Sequence, residues 1–272
     1  MKKNKLNFFC LIEARLNSKR LPGKVLKKIY HNFNALDYVI SNILSAGIDK
    51  DYIILNTTKK KIDIKIQTYV KKKYKIKIFK GDERNVFNRV YSCCKKFEIK
   101  SFARFTSDNI LLDPILIRSA IDYFNKKKID YLSTRSMDHT DSWKEKSDYN
   151  EGSSIEILKA SLLKKVAKNV TKLNYEYPTW NIFSNPSKFK LTKFKLISKY
   201  KGYNLKKIRT TLDTKKDFNF LKNLCKSNNL IPGNNNLIFL LKNYKKNPNK
   251  LYNYNNKKKI AYKIIQKRSK KS

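Results

Sequence analysis

Arginine, histidine, cysteine and acidic residues are all scarce in this 272-residue chain, and each shortage removes a class of explanation. The four cysteines, Cys10, Cys93, Cys94 and Cys225, have no metal-ligand spacing, and the adjacent Cys93 and Cys94 fall within a helical pattern, so a reduced, cytoplasmic setting is expected. The two histidines, His31 and His139, are isolated among unrelated residues, and no general base can be read from them. No apolar run reaches transmembrane length, and no internal repeat is present. The N-terminal lysines and Leu-Asn-Phe-Phe-Cys-Leu-Ile loosely imitate a signal peptide. Glu13 and Arg15 interrupt that stretch where a small-residue cleavage site belongs, so it reads as a first strand.

What the chain has in abundance is lysine. Lys and Arg total 63 against 21 Asp and Glu, a formal net charge of +42 that by itself suggests polyanions or anionic membranes. The excess is spread along the whole length with abundant Asn and Ile, which marks a chain-wide bias rather than a binding stripe, and nucleic acid is not the expected partner. The aromatic residues, Trp143 and Trp180 included, lack the regular interleaving of an RNA-binding sheet. Charge is locally concentrated only at the end, Lys257 to Lys271, so residues 1–250 are expected to form one domain and 251–272 a basic, solvated tail.

The apolar period switches repeatedly between strand-like and helix-like. A strand is expected over 7–13, a helix from Ala35 to Ala46 ended by Gly47, and a second strand over Tyr52–Leu55. An amphipathic stretch through Ile62, Ile66 and Val70 precedes a strand over Ile76–Phe79, followed by a helix from Glu83 to Phe97 and a strand over Phe102–Phe105. Asp113-Pro114 opens the next helix with aspartate as its cap, a helix starts near Lys215, and a short one covers Leu237–Leu241. Strands alternating with single helices imply right-handed crossovers and a mainly parallel sheet, so the fold class is α/β. The stretch Tyr131 to Pro178 has the irregular composition of an insertion, suited to covering a site or pairing with a second subunit. A homodimer therefore stays open.

Ligands in such sheets bind beyond the carboxyl ends of the strands. The loop after the first strand carries Ala14, Arg15, Ser18, Arg20, Pro22, Gly23 and Lys24, and it is suited to phosphate. Two guanidiniums can grip an anion bidentately, Lys24 adds a point charge, Pro22 restricts the loop, and Gly23 admits close backbone approach. The later strands are followed by Asn56-Thr57-Thr58, by Gly81-Asp82-Glu83-Arg84 and by Thr106-Ser107-Asp108-Asn109. Asp213 closes a further extended run. If Asp108 and Asp213 converge, they suit one Mg²⁺ ion with retained waters. Asp82, Glu83 and Arg84 can equally charge a helix N-terminus, the preferred reading for Glu83, and Asp217 reads first as a residue in the opening turn of a helix.

Taken in order, Ala14-Arg15-x-x-Ser18-x-Arg20-Leu21-Pro22-Gly23-Lys24, Phe79-x-Gly81 with Val86 and Arg89, Arg104-x-Thr106-x-Asp108 with Asp113-Pro114, and Arg209-x-Thr211-Leu212-Asp213-Thr214 with Asp217-Phe218 form a pattern. It resembles the cytidylyltransferase family that makes CMP-activated acidic sugars, and most of all its spore coat polysaccharide biosynthesis protein F branch, over residues 7–228. The resemblance implies a Rossmann-like nucleotidyltransferase fold, a three-layer α/β/α sandwich. It also implies CTP as substrate with Mg²⁺, and CMP joined to a sugar hydroxyl with release of pyrophosphate. It would place Arg15, Arg20 and Lys24 on the triphosphate, with Ala14, Ser18, Gly23 and Arg89 around the nucleotide. Asn56, Thr57, Thr58 and the Gly81 loop would lie near the cytidine, and Asp108 and Asp213 on the metal.

Several positions depart from that family's pattern. Asn17 replaces a usual glycine, Ser107 and Asn109 stand in a Thr-Gly-Asp-Cys-Pro element, Ser153 lies where an aspartate is common, Tyr177 replaces a histidine, and Thr211 an aspartate of other branches. The departures concentrate on the sugar side. Alternatives at this level are a family member with altered or lost chemistry and, further off, a basic nucleic-acid-binding protein.

Overall fold

The computed structural model describes residues 8–134, 148–183 and 185–252. Strand β1 (Phe8–Glu13) is buried along nearly its whole length, with Cys10 and Ile12 facing one core and Phe9 and Leu11 the other. A strand covered on both faces is apolar throughout rather than alternating, as this one is. A small antiparallel ladder, β2 (Lys28–Tyr30) and β3 (Phe33–Asn34), leads into helix α1 (Ala35–Ser45). Asn34 and Asp37 close a capping box at its start.

The chain then alternates as its periodicity implies: β4 (Ile53–Thr58), α2 (Ile64–Tyr74), β5 (Lys77–Gly81), α3 (Val86–Lys96), β6 (Ser101–Thr106) and α4 (Pro114–Lys126). Beyond lie β7 (Tyr131–Ser133), β8 (Glu156–Lys159), α5 (Ser161–Val166), α6 (Trp180–Phe183), β9 (Leu191–Lys193), α7 (Lys215–Ser227) and α8 (Asn236–Asn243). The seven-stranded sheet has the order β5-β4-β1-β6-β8-β7-β9, and within it β8 alone runs against the rest. Helices α1, α2, α4, α7 and α8 pack on one face, and α3, α5 and α6 on the other. The α/β expectation, three layers with a mainly parallel sheet, therefore holds.

Four expectations need correction. Helix α3 begins at Val86 rather than Glu83, because the Asp82 carboxylate accepts hydrogen bonds from the Arg84 and Asn85 amides and holds a turn there, leaving Asn85 as the cap. Asn56, Thr57 and Thr58 do not follow the second sheet strand but belong to it, in register with Phe79, Lys80 and Gly81. The stretch from Tyr131 is not an insertion where it is described, since β7 and β8 are integral strands of the sheet.

The fourth is Asp113, which sits at the cap position of α4 without capping it. Its carboxylate instead accepts from the amides of Leu237 and Ile238, at 2.9 and 3.0 Å, and from the Tyr200 hydroxyl at 2.7 Å. It therefore anchors the start of α8, 124 residues later. Burial pushes this carboxyl up to about 7, against the three donated hydrogen bonds.

All four cysteines are buried free thiols, and burial raises each of them, Cys93 and Cys225 to about 12, so they act as core side chains. The basic segment 257–271, His139 and Trp143 lie outside the described residues. No helix among the described residues is long and apolar enough to cross a membrane.

Candidate active site

Ala14 follows the last residue of β1, and from there the chain turns on itself. The Leu16 carbonyl accepts from both the Ser18 and Gly23 amides, at 2.8 and 3.0 Å, while Leu16 and Leu21 are buried as anchors. Gly23 takes a left-handed φ of 68°, and a Cβ there would meet nothing within 4 Å. Backbone conformation, not crowding within the chain, therefore calls for glycine. Asp63 pins the loop from below, its buried carboxylate accepting from the Leu16 amide at 2.7 Å and from the Thr58 hydroxyl. Nothing in the sequence around Asp63 signals this role, since it lies between two isoleucines at the start of an amphipathic stretch.

Arg15, Arg20 and Lys24 leave this loop in two directions. Arg15 is exposed and donates to the Glu83 carbonyl at 3.1 Å, and Asn17 donates to the Glu83 carboxylate at 3.0 Å. The departure at Asn17 is thus used to tie the loop to the segment after β5. Lys60 also reaches that carboxylate, and these partners hold Glu83 below the usual carboxylate range, the Asn17 hydrogen bond first among them. Arg20 and Lys24 turn the other way. Arg20 Nη2 lies 3.0 Å from Asp213 Oδ1, and Lys24 Nζ lies 2.8 Å from Asp108 Oδ2, 3.3 Å from Asp213 Oδ1 and 2.8 Å from the Leu212 carbonyl.

The two aspartates expected to converge therefore meet on one ammonium. Burial alone would lower the Lys24 pKa, but Asp108 and Asp213 outweigh it and hold it above its ordinary value. Burial likewise works against ionised Asp108, and Lys24 reverses that, holding its carboxyl at about 2. Asp213 is further tied on Oδ2 by Arg209 at 3.0 Å, and the buried Arg209 also pairs with Asp217 at 3.3 Å and with Glu151. Asp217 has a second task. It accepts from the Thr214 amide at 2.8 Å and completes the capping box of α7, the helix-start role its position implied. Among the described residues no group of three or more His, Cys, Asp and Glu side chains forms a metal cluster.

The remaining expected residues lie beneath or beside this point. Asn56, Thr57 and Thr58 are fully buried, and the side-chain polar atoms of Asn56 and the Thr57 hydroxyl have no partner among the described residues. Arg89 is 3 % exposed and is committed to the Asp82 carbonyl at 2.6 Å and to Glu13 at 3.5 Å. It fills the space under Gly81, where an added Cβ would come within 2.7 Å of its Cγ. Gly81 is therefore required by the close passage of Arg89. The Thr211 hydroxyl reaches Asn109 at 3.4 Å, so two departures from the family pattern contact each other. His31 lies in the exposed turn between β2 and β3, its ring 4.0 Å from that of Tyr30.

A buried network joins this site to the other half of the sheet. Arg104, in β6, donates to Glu13 at the end of β1 and to Glu156 at the start of β8. Glu156 also accepts from the Tyr131 hydroxyl at 2.7 Å and the Thr179 hydroxyl at 2.8 Å. Arg104 stood out in the sequence as one of nine arginines, but its partners, 91 and 52 residues away, did not.

A doubly covered, mainly parallel sheet with a cationic loop after its first strand and two carboxylates facing that loop defines a nucleotide-handling α/β protein. The family model described as cytidylyltransferase matches residues 9–258, and the chain belongs to that family. It is 32% identical over 226 residues to the uncharacterized protein MJ1063 of Methanocaldococcus jannaschii, covering 81% of this chain and 84% of the relative. It is 24% identical over 220 residues to the spore coat polysaccharide biosynthesis protein SpsF of Bacillus subtilis, covering 79% and 84%. A solved cytidylyltransferase from Leptospira borgpetersenii superposes with a TM-score of 0.76 at 25% identity, covering 91% of this chain and 98% of that one. The fold also matches a CMP:2-keto-3-deoxy-manno-octonic acid synthetase complexed with CTP, with a TM-score of 0.58 at 13% identity over 81% and 98%.

Proposed function

We propose that this protein transfers CMP from CTP to a hydroxyl of an acidic sugar and releases pyrophosphate, in surface-polysaccharide or glycan synthesis. The observation that carries the reading is the meeting of Arg20 and Lys24, from the loop after β1, with Asp108 and Asp213 at the carboxyl edge of the sheet. The relatives supply the chemistry by analogy, through a synthetase that holds CTP and a relative named for polysaccharide biosynthesis.

In this reading the sugar oxygen forms a bond to the α-phosphorus, the bond from that phosphorus to the bridging oxygen of the β-phosphate breaks, and the hydroxyl proton passes to solvent water. The protein contributes position and charge. Arg15, Arg20 and Lys24 bind the triphosphate and stabilise the charge that builds on departing pyrophosphate.

Mg²⁺ fits the donor set. Asp108 Oδ2, Asp213 Oδ1 and the Leu212 carbonyl surround a point where a cation, the Lys24 ammonium, already sits, and all three donors are the hard oxygens this ion prefers. When bound there, the ion would neutralise phosphate charge. The acceptor would enter on the side of Glu151–Glu156 and Tyr177–Phe183. The test is incubation with labelled CTP and a panel of acidic sugars, read as labelled conjugate and pyrophosphate. Calorimetry with CTP, UTP, GTP and ATP runs beside it. A protein that binds none of the four nucleotides refutes the reading.

A further inference from the structure

The groups expected to hold phosphate and those expected to hold metal hold each other. Lys24 Nζ touches three oxygens, Asp108 Oδ2, Asp213 Oδ1 and the Leu212 carbonyl, at 2.8, 3.3 and 2.8 Å. These are the oxygens that make the point suitable for a divalent ion. Arg20 lies on the same Asp213 oxygen at 3.0 Å.

Two features make this arrangement exchangeable. The Arg20 side chain is 53% exposed and can leave at little cost, and Lys24 carries a compact charge on a flexible four-carbon stem. Arg209 is different. It is buried, bound by Asp217 as well, and grips only the second oxygen of Asp213, so it orients that carboxylate without filling the seat. A divalent ion cannot join Lys24 there, because like charges a few ångströms apart in a poorly solvated site repel strongly. Nor do two carboxylates already neutralised by lysine offer much to an ion that gives up its water reluctantly.

We propose that Lys24 and the divalent ion share one seat. In the nucleotide-free chain the ammonium neutralises Asp108 and Asp213 and keeps the ion out. A triphosphate vacates the seat by drawing Lys24 and Arg20 onto its own oxygens, so metal and nucleotide enter together. By linkage, each then raises the affinity for the other. This role for Lys24 rests on the CTP and Mg²⁺ reading above.

The test uses Mn²⁺ titrated into the full chain without nucleotide, with free ion counted by paramagnetic resonance. Lys24→Met and Lys24→Gln are expected to bind one Mn²⁺ at least tenfold more tightly than the native chain, and adding Asp108→Asn to either is expected to abolish the gain. The glutamine variant keeps a polar contact to Asp108 should methionine disturb folding, which thermal unfolding of both checks. Variants that bind Mn²⁺ no more tightly than the native chain overturn the shared seat. If the native chain nonetheless binds CTP with Mn²⁺, the CTP reading survives that loss. If CTP binds under no condition, the CTP reading fails and the shared seat falls with it.

Discussion

The two halves of the sheet are built differently. From β5 through β6 the strands are parallel, five or six residues long and separated by full helices, and their carboxyl ends carry the charged loops. From β7 to β9 the strands have three or four residues, one of them is reversed, and the chain between β8 and α7 proceeds mostly through short 3-10 turns. The first half brings Arg20, Lys24 and Asp108 to Asp213, whereas in the second Arg104, Tyr131 and Thr179 meet on Glu156. Irregular backbone is where sequence variation is tolerated. The departures at Ser153 and Tyr177 fall in that second half.

Arg104 spans both halves and gives the sharpest way to break the comparison. Arg104→Met leaves Glu13 and Glu156 buried with less compensation, and removing one partner of such a group costs about 3–5 kcal/mol. Chemical denaturation should show that loss, with CTP binding weakened as well because Glu13 adjoins the loop proposed to hold the triphosphate. A destabilisation under about 1 kcal/mol, below that range, would show the halves to be independent. The next effect belongs to the first half alone. Arg20→Ala and Asp108→Ala should fold normally yet lose about 10²- to 10³-fold in turnover, by analogy with other preorganised charged contacts. Near-native pyrophosphate release by either would remove that role. The smallest effect belongs to the second half of the sheet. Thr179→Val deletes one hydroxyl donor to Glu156, which still has Tyr131, and should cost about 1 kcal/mol in unfolding free energy. CTP affinity, measured by calorimetry, should stay within about twofold of native, a shift of no more than roughly 0.4 kcal/mol. A larger drop would mean that the two halves are coupled through Glu156.

The regular elements were readable because their cause is local. Period-two and period-3.6 patterns lie within windows of a few residues, and β1, α1, β6 and α7 fall close to where those patterns put them. The loop from Ala14 to Lys24 was readable too, since its arginines stand out against a lysine-rich background and its proline and glycine mark a turn. Helix starts were misread where a side chain found other partners. Asp82 held the start of α3 back by a turn, while α4 begins at Pro114 as expected but Asp113 gives its carboxylate to α8 instead of capping it.

Partner choice over long separations was beyond local pattern altogether. Lys24 finds Asp108 and Asp213 at separations of 84 and 189 residues, and Asp63 finds Leu16 at 47. Periodicity says which face a side chain occupies but not which distant charge will stand opposite it. That pairing exists only after the strands have aligned and burial has brought each carboxylate against the cations that compensate it, three of them at Asp213.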